Sequence, residues 1–199
     1  MTVSRITSFG LLALLIFIPE FFVPEVSAAP PTSGFNNKSN EDDGLDGVQG
    51  EIEQIITPEY RQRGMRVERM PDRNLRVLLP SEVMFAYDSA DISRDFAPTL
   101  RQVARIMSNR PRVRARIVGH TDSDGSDSYN MDLSLRRAES VAAFIGTQGV
   151  ERRRLHTEGR GEQEPIASNA TPQGRQQNRR VELILIRPQR GDRPRRNQP

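Results

Sequence analysis

At 199 residues the chain has room for one domain of ordinary size with extensions, and a hydrophobic content of 35% is low enough that some of the length must be tail or linker. The 29 basic and 26 acidic residues nearly cancel to +3, with Lys38 the sole lysine, so charge balance alone argues against a nucleic-acid-binding protein. The sequence has no cysteine, which excludes disulfides, thiolate metal sites, a cysteine nucleophile and lipidation through an N-terminal cysteine.

Residues 1–28 read as an export signal: Arg5, then an apolar run from Phe9 to Ile18, then the small residues Ser27, Ala28 and Ala29. Cleavage is expected after Ala28 or Ala29. A retained membrane anchor is the competing reading, but a span needs roughly 20 apolar residues and Glu20 and Glu25 interrupt this one. Residues 29–64 are expected to be a polar, mostly disordered linker. Within it EIEQIITPEY has the composition of a short helix, limited by Pro58.

The folded domain is expected over residues 65–187. Leu75, Val77 and Leu79 alternate with Arg76 and Leu78 ahead of Pro80, which predicts a strand, and a second extended piece follows from Glu82 to Phe85. After the polar turn AYDSADIS, Phe96, Leu100, Val103 and Met107 share one helical face, with Ser93 as N-cap and Pro98 early enough to be tolerated. RVRARIVG alternates strictly, Val113, Ala115 and Ile117 on one side and Arg112, Arg114 and Arg116 on the other, as a strand with one solvated face would. Leu135, Ala138, Val141, Ala142 and Ile145 form the stripe of a second helix, closed by Gly149. Leu155 to Glu158 reads as a short strand. The next segment is mostly loop, with a turn of helix before Asn178, and RRVELILIR is apolar enough for a central strand. This order predicts an α/β (α+β) sandwich: a small mixed sheet of about four strands, βαβαβ in order, with helices packed on one face. Residues 188–199 are expected to be a disordered, solubilising basic tail.

The chemistry gathers in GHTDSDGSDSYNMDLSLRRAESV, residues 119–141. A calcium loop is a poor reading of Asp122, Asp124 and Asp127. Counted from Asp122 the glycine is fourth rather than sixth, the twelfth residue is Leu133, and arginines follow closely. His120 and His156 are the only histidines and form no zinc pair. Ser123, His120 and Asp122 stand too close in sequence for triad geometry, and Gly159-x-Gly161 lacks the third glycine of a nucleotide loop. No enzyme, metal or cofactor is therefore expected. Asp122 and Arg137 could instead face each other across the turn and clamp a zwitterion, the carboxylate taking an ammonium and the guanidinium fork a carboxylate. An ordinary internal Asp–Arg salt bridge fits the same spacing.

Four motifs in order decide the direction: G-H-T-D, N-x-x-L-S-x-x-R-A, G-x-G-E-x-x-P and N-R-R-V-E. Together they resemble the OmpA-like C-terminal domain, the peptidoglycan-binding module of porin tails, peptidoglycan-associated lipoproteins and flagellar stator proteins. The likeness runs from about Leu79 to Ile186, and VMFAYDSADISRDF is similar to the family's first-strand signature. The resemblance implies a non-catalytic module that binds the diaminopimelate of peptidoglycan stem peptide in the Gram-negative envelope. It implies Asp122 as the ammonium holder and Arg137 as the carboxylate holder. Asn130, Asp88 and Thr121 would line the same pocket, and Arg179 and Arg180 would brace it without touching ligand. It also implies a periplasmic location beside the cell wall and outer membrane, with envelope proteins as further partners and any membrane link by association only. One departure is Ala86, where many members carry aspartate after the phenylalanine; it and the basic tail motivate the alternative of an envelope scaffold that binds protein.

Overall fold

The computed structural model of the chain describes residues 45–86 and 88–187. The expected export signal, the first part of the linker and the basic tail lie outside them.

Five strands, one more than expected, form a mixed sheet in the order β1-β2-β5-β3-β4. They are β1 (Arg66–Arg69), β2 (Leu75–Pro80), β3 (Arg114–His120), β4 (Leu155–Gly159) and β5 (Arg180–Ile186). The last strand in sequence is the central one: β5 runs antiparallel to both β2 and β3, pairing Leu183 with Val77 and Ile117. β3 and β4 are parallel, as they must be with a long helix returning the chain between them. β1 was not legible because RVER has neither an apolar run nor a buried residue; it forms only as the hairpin partner of β2.

The helices are α1 (Leu45–Ile55), α2 (Pro58–Gln62), α3 (Ser81–Met84), α4 (Ala97–Ser108), α5 (Asp127–Thr147) and α6 (Pro172–Asn178). The core lies between them and one sheet face, where Leu75, Val77, Leu79, Ala115, Ile117, Val181, Leu183 and Leu185 meet Phe96, Leu100, Val103, Ala138, Val141 and Ile145. The opposite sheet face carries Arg76, Arg116, Arg180 and Glu182 among Leu78, Val118 and Ile184.

Two expectations need correction. Residues 45–64 are not disordered linker: Leu45, Val48, Ile52 and Ile56 recur at helical spacing and are buried in the core, α1 packing on α4 and β1. The acidic positions between them hid the stripe; Arg69 and Arg110 reach out to Asp46 and Glu51 of α1. α1 stops at Ile55, ahead of Pro58 as expected, and Pro58 then opens α2 under the cap of Thr57. The piece from Ser81 to Met84 is a helical turn rather than extended chain; Phe85 N–H closes it on Ser81 O, and Phe85 then bridges to Ile92.

Candidate functional site

The site is built where β3 ends under the first half of α5. Gly119 and Gly159 set that approach. A Cβ on Gly119 would stand 2.0 Å from the Ser134 carbonyl oxygen, and one on Gly159 2.8 Å from Met131 O and Leu135 N. The helix therefore lies directly on the strand ends, and Asn130, Ser134 and Arg137 are buried there. Gly125 makes the intervening turn at φ +103, and the Ser126 hydroxyl caps α5 by accepting from Tyr129 N–H.

Asp122 is only 6% exposed. Its Oδ1 accepts from Asp124 N–H at 3.2 Å and its Oδ2 from the Arg179 guanidinium. The Asn130 amide spans the site, donating to Asp122 O at 3.3 Å and to Glu162 Oε2 at 2.7 Å. Thr121 is buried beside them. Its N–H is held by Gly161 O at 2.9 Å, while its hydroxyl has no protein partner.

Arg137, 5% exposed, comes from α5. Its Nε donates to Ser89 O at 2.9 Å and its guanidinium carbon sits 5.3 Å from the centroid of the Phe85 ring. Among the described residues its two terminal nitrogens meet no acceptor. Burial pulls its pKa below the usual arginine range, while Asp88 pushes it back up. An arginine remains a cation at neutral pH under such a shift. Asp88 occupies the left-handed region at φ +51 and accepts the Tyr129 hydroxyl, a bond that raises the phenol's pKa.

The internal Asp122–Arg137 salt bridge that spacing left open is not formed: Asp122 takes Arg179, and Arg137 takes a backbone carbonyl. Asp122, Asn130, Thr121, Asp88 and Arg137 are drawn to one end of the sheet, with Arg179 directly against Asp122. Arg180 is not in this group. Side chains alternate along β5, so it turns to the helix-free sheet face, where it pairs with Glu182 and donates to Glu164 O and Asn178 O. His120 faces that side too, with Nε2 3.8 Å from Glu182 and both ring nitrogens without a hydrogen bond. Burial, with Arg180, Arg160 and Arg76 around it, pushes its pKa down to about 3, so the ring is neutral at pH 7. Asp124 pairs with Arg175, and among the described residues no group of three or more acids or histidines is arranged to hold a metal ion.

Sequence reasoning missed the Ser89 carbonyl, the Phe85 ring, Tyr129 and Glu162. The last two stood inside quoted motifs, Tyr129 beside Asn130 and Glu162 in G-x-G-E. The Ser89 carbonyl left no trace, since every residue has one.

Comparison with known proteins agrees with the motifs. The OmpA family model matches residues 84–179. Among curated relatives, a probable lipoprotein of Escherichia coli, YiaD, is 41% identical over 130 residues, covering 65% of this chain and 59% of that protein. The peptidoglycan-binding protein ArfA of Mycobacterium bovis is 40% identical over 103 residues, 52% of this chain and 32% of its own length. The chain thus spans less than two thirds of either relative. Among solved structures, the cell wall anchor of the T6SS from Pseudomonas aeruginosa superposes with a TM-score of 0.61 at 27% identity, covering 70% of this chain and 99% of that one.

Proposed function

We propose, from the match of residues 84–179 to the OmpA family model, that the chain is a non-catalytic peptidoglycan-binding module of the Gram-negative envelope, working in the periplasm beside the cell wall and outer membrane. Its ligand is the free amino-acid centre of diaminopimelate in the stem peptide. The observation that carries this reading is Arg137: a buried guanidinium, its Nε already anchored, its two terminal nitrogens without an acceptor among the described residues. A carboxylate matches that fork geometry. The Asp122 carboxylate at the same end of the sheet, held still by Arg179 and the Asp124 N–H, offers its remaining lone pairs to the ammonium. Asn130 and the free Thr121 hydroxyl supply further polar contacts, and Asp88 balances the Arg137 charge. Relatives named for peptidoglycan binding and for cell wall anchoring support the same reading.

The test is co-sedimentation with purified sacculi. Asp122→Ala and Arg137→Ala should each weaken binding by about tenfold or more, the worth of one charge-assisted contact. Free diaminopimelate should compete with the wild-type chain. Full retention by both variants would refute the clamp. A protein partner captured with comparable yield by a wild type that ignores sacculi would favour the scaffold reading that Ala86 motivates.

A further inference from the structure

β4 is the last strand of the sheet, paired on one side only. In its parallel ladder Arg160 N–H donates to Gly119 O at 3.0 Å. Backbone groups alternate in direction along a strand, so His156 and Glu158 also direct their N–H and C=O to β3, while Thr157 and Gly159 turn theirs outward. Among the described residues nothing meets those outward donors and acceptors. Leu155 is turned the same way, its N–H closed on Arg152 O. The helix above this edge has an uncovered flank on the same side. α5 sends Arg137 toward Phe85 and Ser89, away from β4. The opposite flank carries Met131, Leu135, Ala142 and Gly146 at helical spacing, with Glu139 above them on the solvent side. Leu135 stands over β4, since a Cβ on Gly159 would come within 2.8 Å of its N, and it is exposed, one of three such large hydrophobics among the described residues. A Cβ on Gly146 would meet nothing within 4 Å, so the flank has open space beside that residue.

We infer that a second copy of this chain docks on this edge, β4 against β4 about a two-fold axis at Thr157, joining the two sheets into one. Antiparallel pairing in that register sets Thr157 against Thr157 and Leu155 against Gly159 as hydrogen-bonded pairs, and these are the residues whose backbone groups face out. Between them it sets His156 of one copy against Glu158 of the other, twice, as the closely spaced pairs. Both residues stand on the helix-free face, where an imidazole opposite a carboxylate is a favourable cross-strand pair. Glu158 is already held on that face by Arg160 at 2.7 Å and Arg116 at 3.8 Å. Helix spacing decides between a second copy and a bare extended peptide. Neighbouring strands lie about 4.8 Å apart and α5 rests over both β3 and β4, so the axis brings the two copies of α5 to about 10 Å. Packed helices stand about 8–10 Å apart. The two helices run antiparallel, so Leu135 of each copy meets Ala142 and the open space at Gly146 of the other. A bare peptide would fill the strand edge and leave Leu135 in water. The axis also puts the two clamps at opposite ends of the joined sheet. A dimer would then hold two stem peptides at once and gain avidity, a consequence that rests on the peptidoglycan reading above.

The test is analytical ultracentrifugation of the full chain at rising concentration, which should show a monomer–dimer equilibrium. Thr157→Pro removes an outward N–H that the monomer does not use, and an edge strand tolerates proline. It should weaken dimerisation by about tenfold or more, since symmetry removes two bonds, and keep the circular dichroism spectrum. Leu135→Arg should weaken it too, through the helix contact. The chain has no cysteine, so cross-linking can read the register. A mixture of His156→Cys and Glu158→Cys chains should form a disulfide between copies, their Cα atoms about 4.5 Å apart and inside the span of about 4.4–6.8 Å that the bond allows. Neither variant alone should do so. Asp122→Ala should dimerise as the wild type does, so loss of wall binding and loss of the dimer are read apart. A chain that stays monomeric, a Thr157→Pro dimer as tight as wild type, or equal cross-linking by His156→Cys alone overturns the inference. So does association that disappears on removing residues 1–28, which assigns it to the apolar stretch Phe9–Ile18.

Discussion

Replacing Arg137 by lysine keeps the positive charge and removes the fork, which separates the proposed clamp from a site that merely needs a cation. The guanidinium does two things in the folded chain: Nε–H donates to Ser89 O at 2.9 Å, and the planar group lies over Phe85 at 5.3 Å. A lysine ammonium is a point donor on a flexible stem. It can satisfy the Ser89 carbonyl or face outward to the ligand, but it cannot present two parallel N–H bonds while doing so. On the stability side, losing a charge-assisted bond costs about 1.5–3 kcal/mol and weakening the ring contact about 0.5–1 kcal/mol, offset in part by whatever contact the ammonium recovers. A net loss of about 1–2 kcal/mol is expected, measured by urea denaturation. On the binding side, replacing a bidentate carboxylate contact by a single one should weaken sacculus binding by about tenfold, measured by co-sedimentation with diaminopimelate competition. Arg137→Lys binding sacculi as tightly as wild type, at any stability, would refute the fork as the recognition element.

Three further outcomes test the frame around the site. Arg154→Met should destabilise the fold by about 2–4 kcal/mol, because three backbone carbonyls between the end of α4 and the start of β3 lose a buried charged donor, while sacculus binding at the other end of the sheet stays as it was. His120 should make the domain acid-sensitive: its folded pKa of about 3 lies below the ordinary 6.5, so the unfolded chain takes up a proton that the native chain refuses. Stability should fall as pH drops from about 6.5 toward 3, by on the order of 3 kcal/mol across the window, and not above it. Denaturation at pH 7 and pH 4 checks this; a His120→Leu variant that loses as much stability as wild type between the two would contradict it. Ile52→Ala should cost about 2–4 kcal/mol if α1 belongs to the domain core, whereas a linker helix would tolerate it unchanged in the same urea titration.

Much of this protein could be read without coordinates, and the reason is periodicity. The alternation of RVRARIVG, the stripe from Phe96 to Met107 and the double-sided apolar run of RVELILI each declare an element and a face, because burial imposes a period of two or of 3.6 on the residues that undergo it. The motif order likewise exposed Asp122 and Arg137 before any contact was visible. What periodicity cannot report is adjacency between distant segments. That β5 lies between β2 and β3 and that α1 joins the core follow from contacts between segments remote in sequence, and β1 exists only because β2 beside it is there to pair with. The site depends on the same kind of information. Asp122 could be paired with Arg137, Arg179 or neither on spacing alone; the tertiary fold chose Arg179, 57 residues away, and among the described residues left the Arg137 fork without an acceptor. Arg179 and Arg180 are neighbours in sequence and alike in chemistry, yet one turns to Asp122 and the other to the helix-free face of the sheet. A strand's alternation is written in its residues, but which strand ends meet Asn130, Ser134 and Arg137 is decided only when α5 is laid across Gly119 and Gly159.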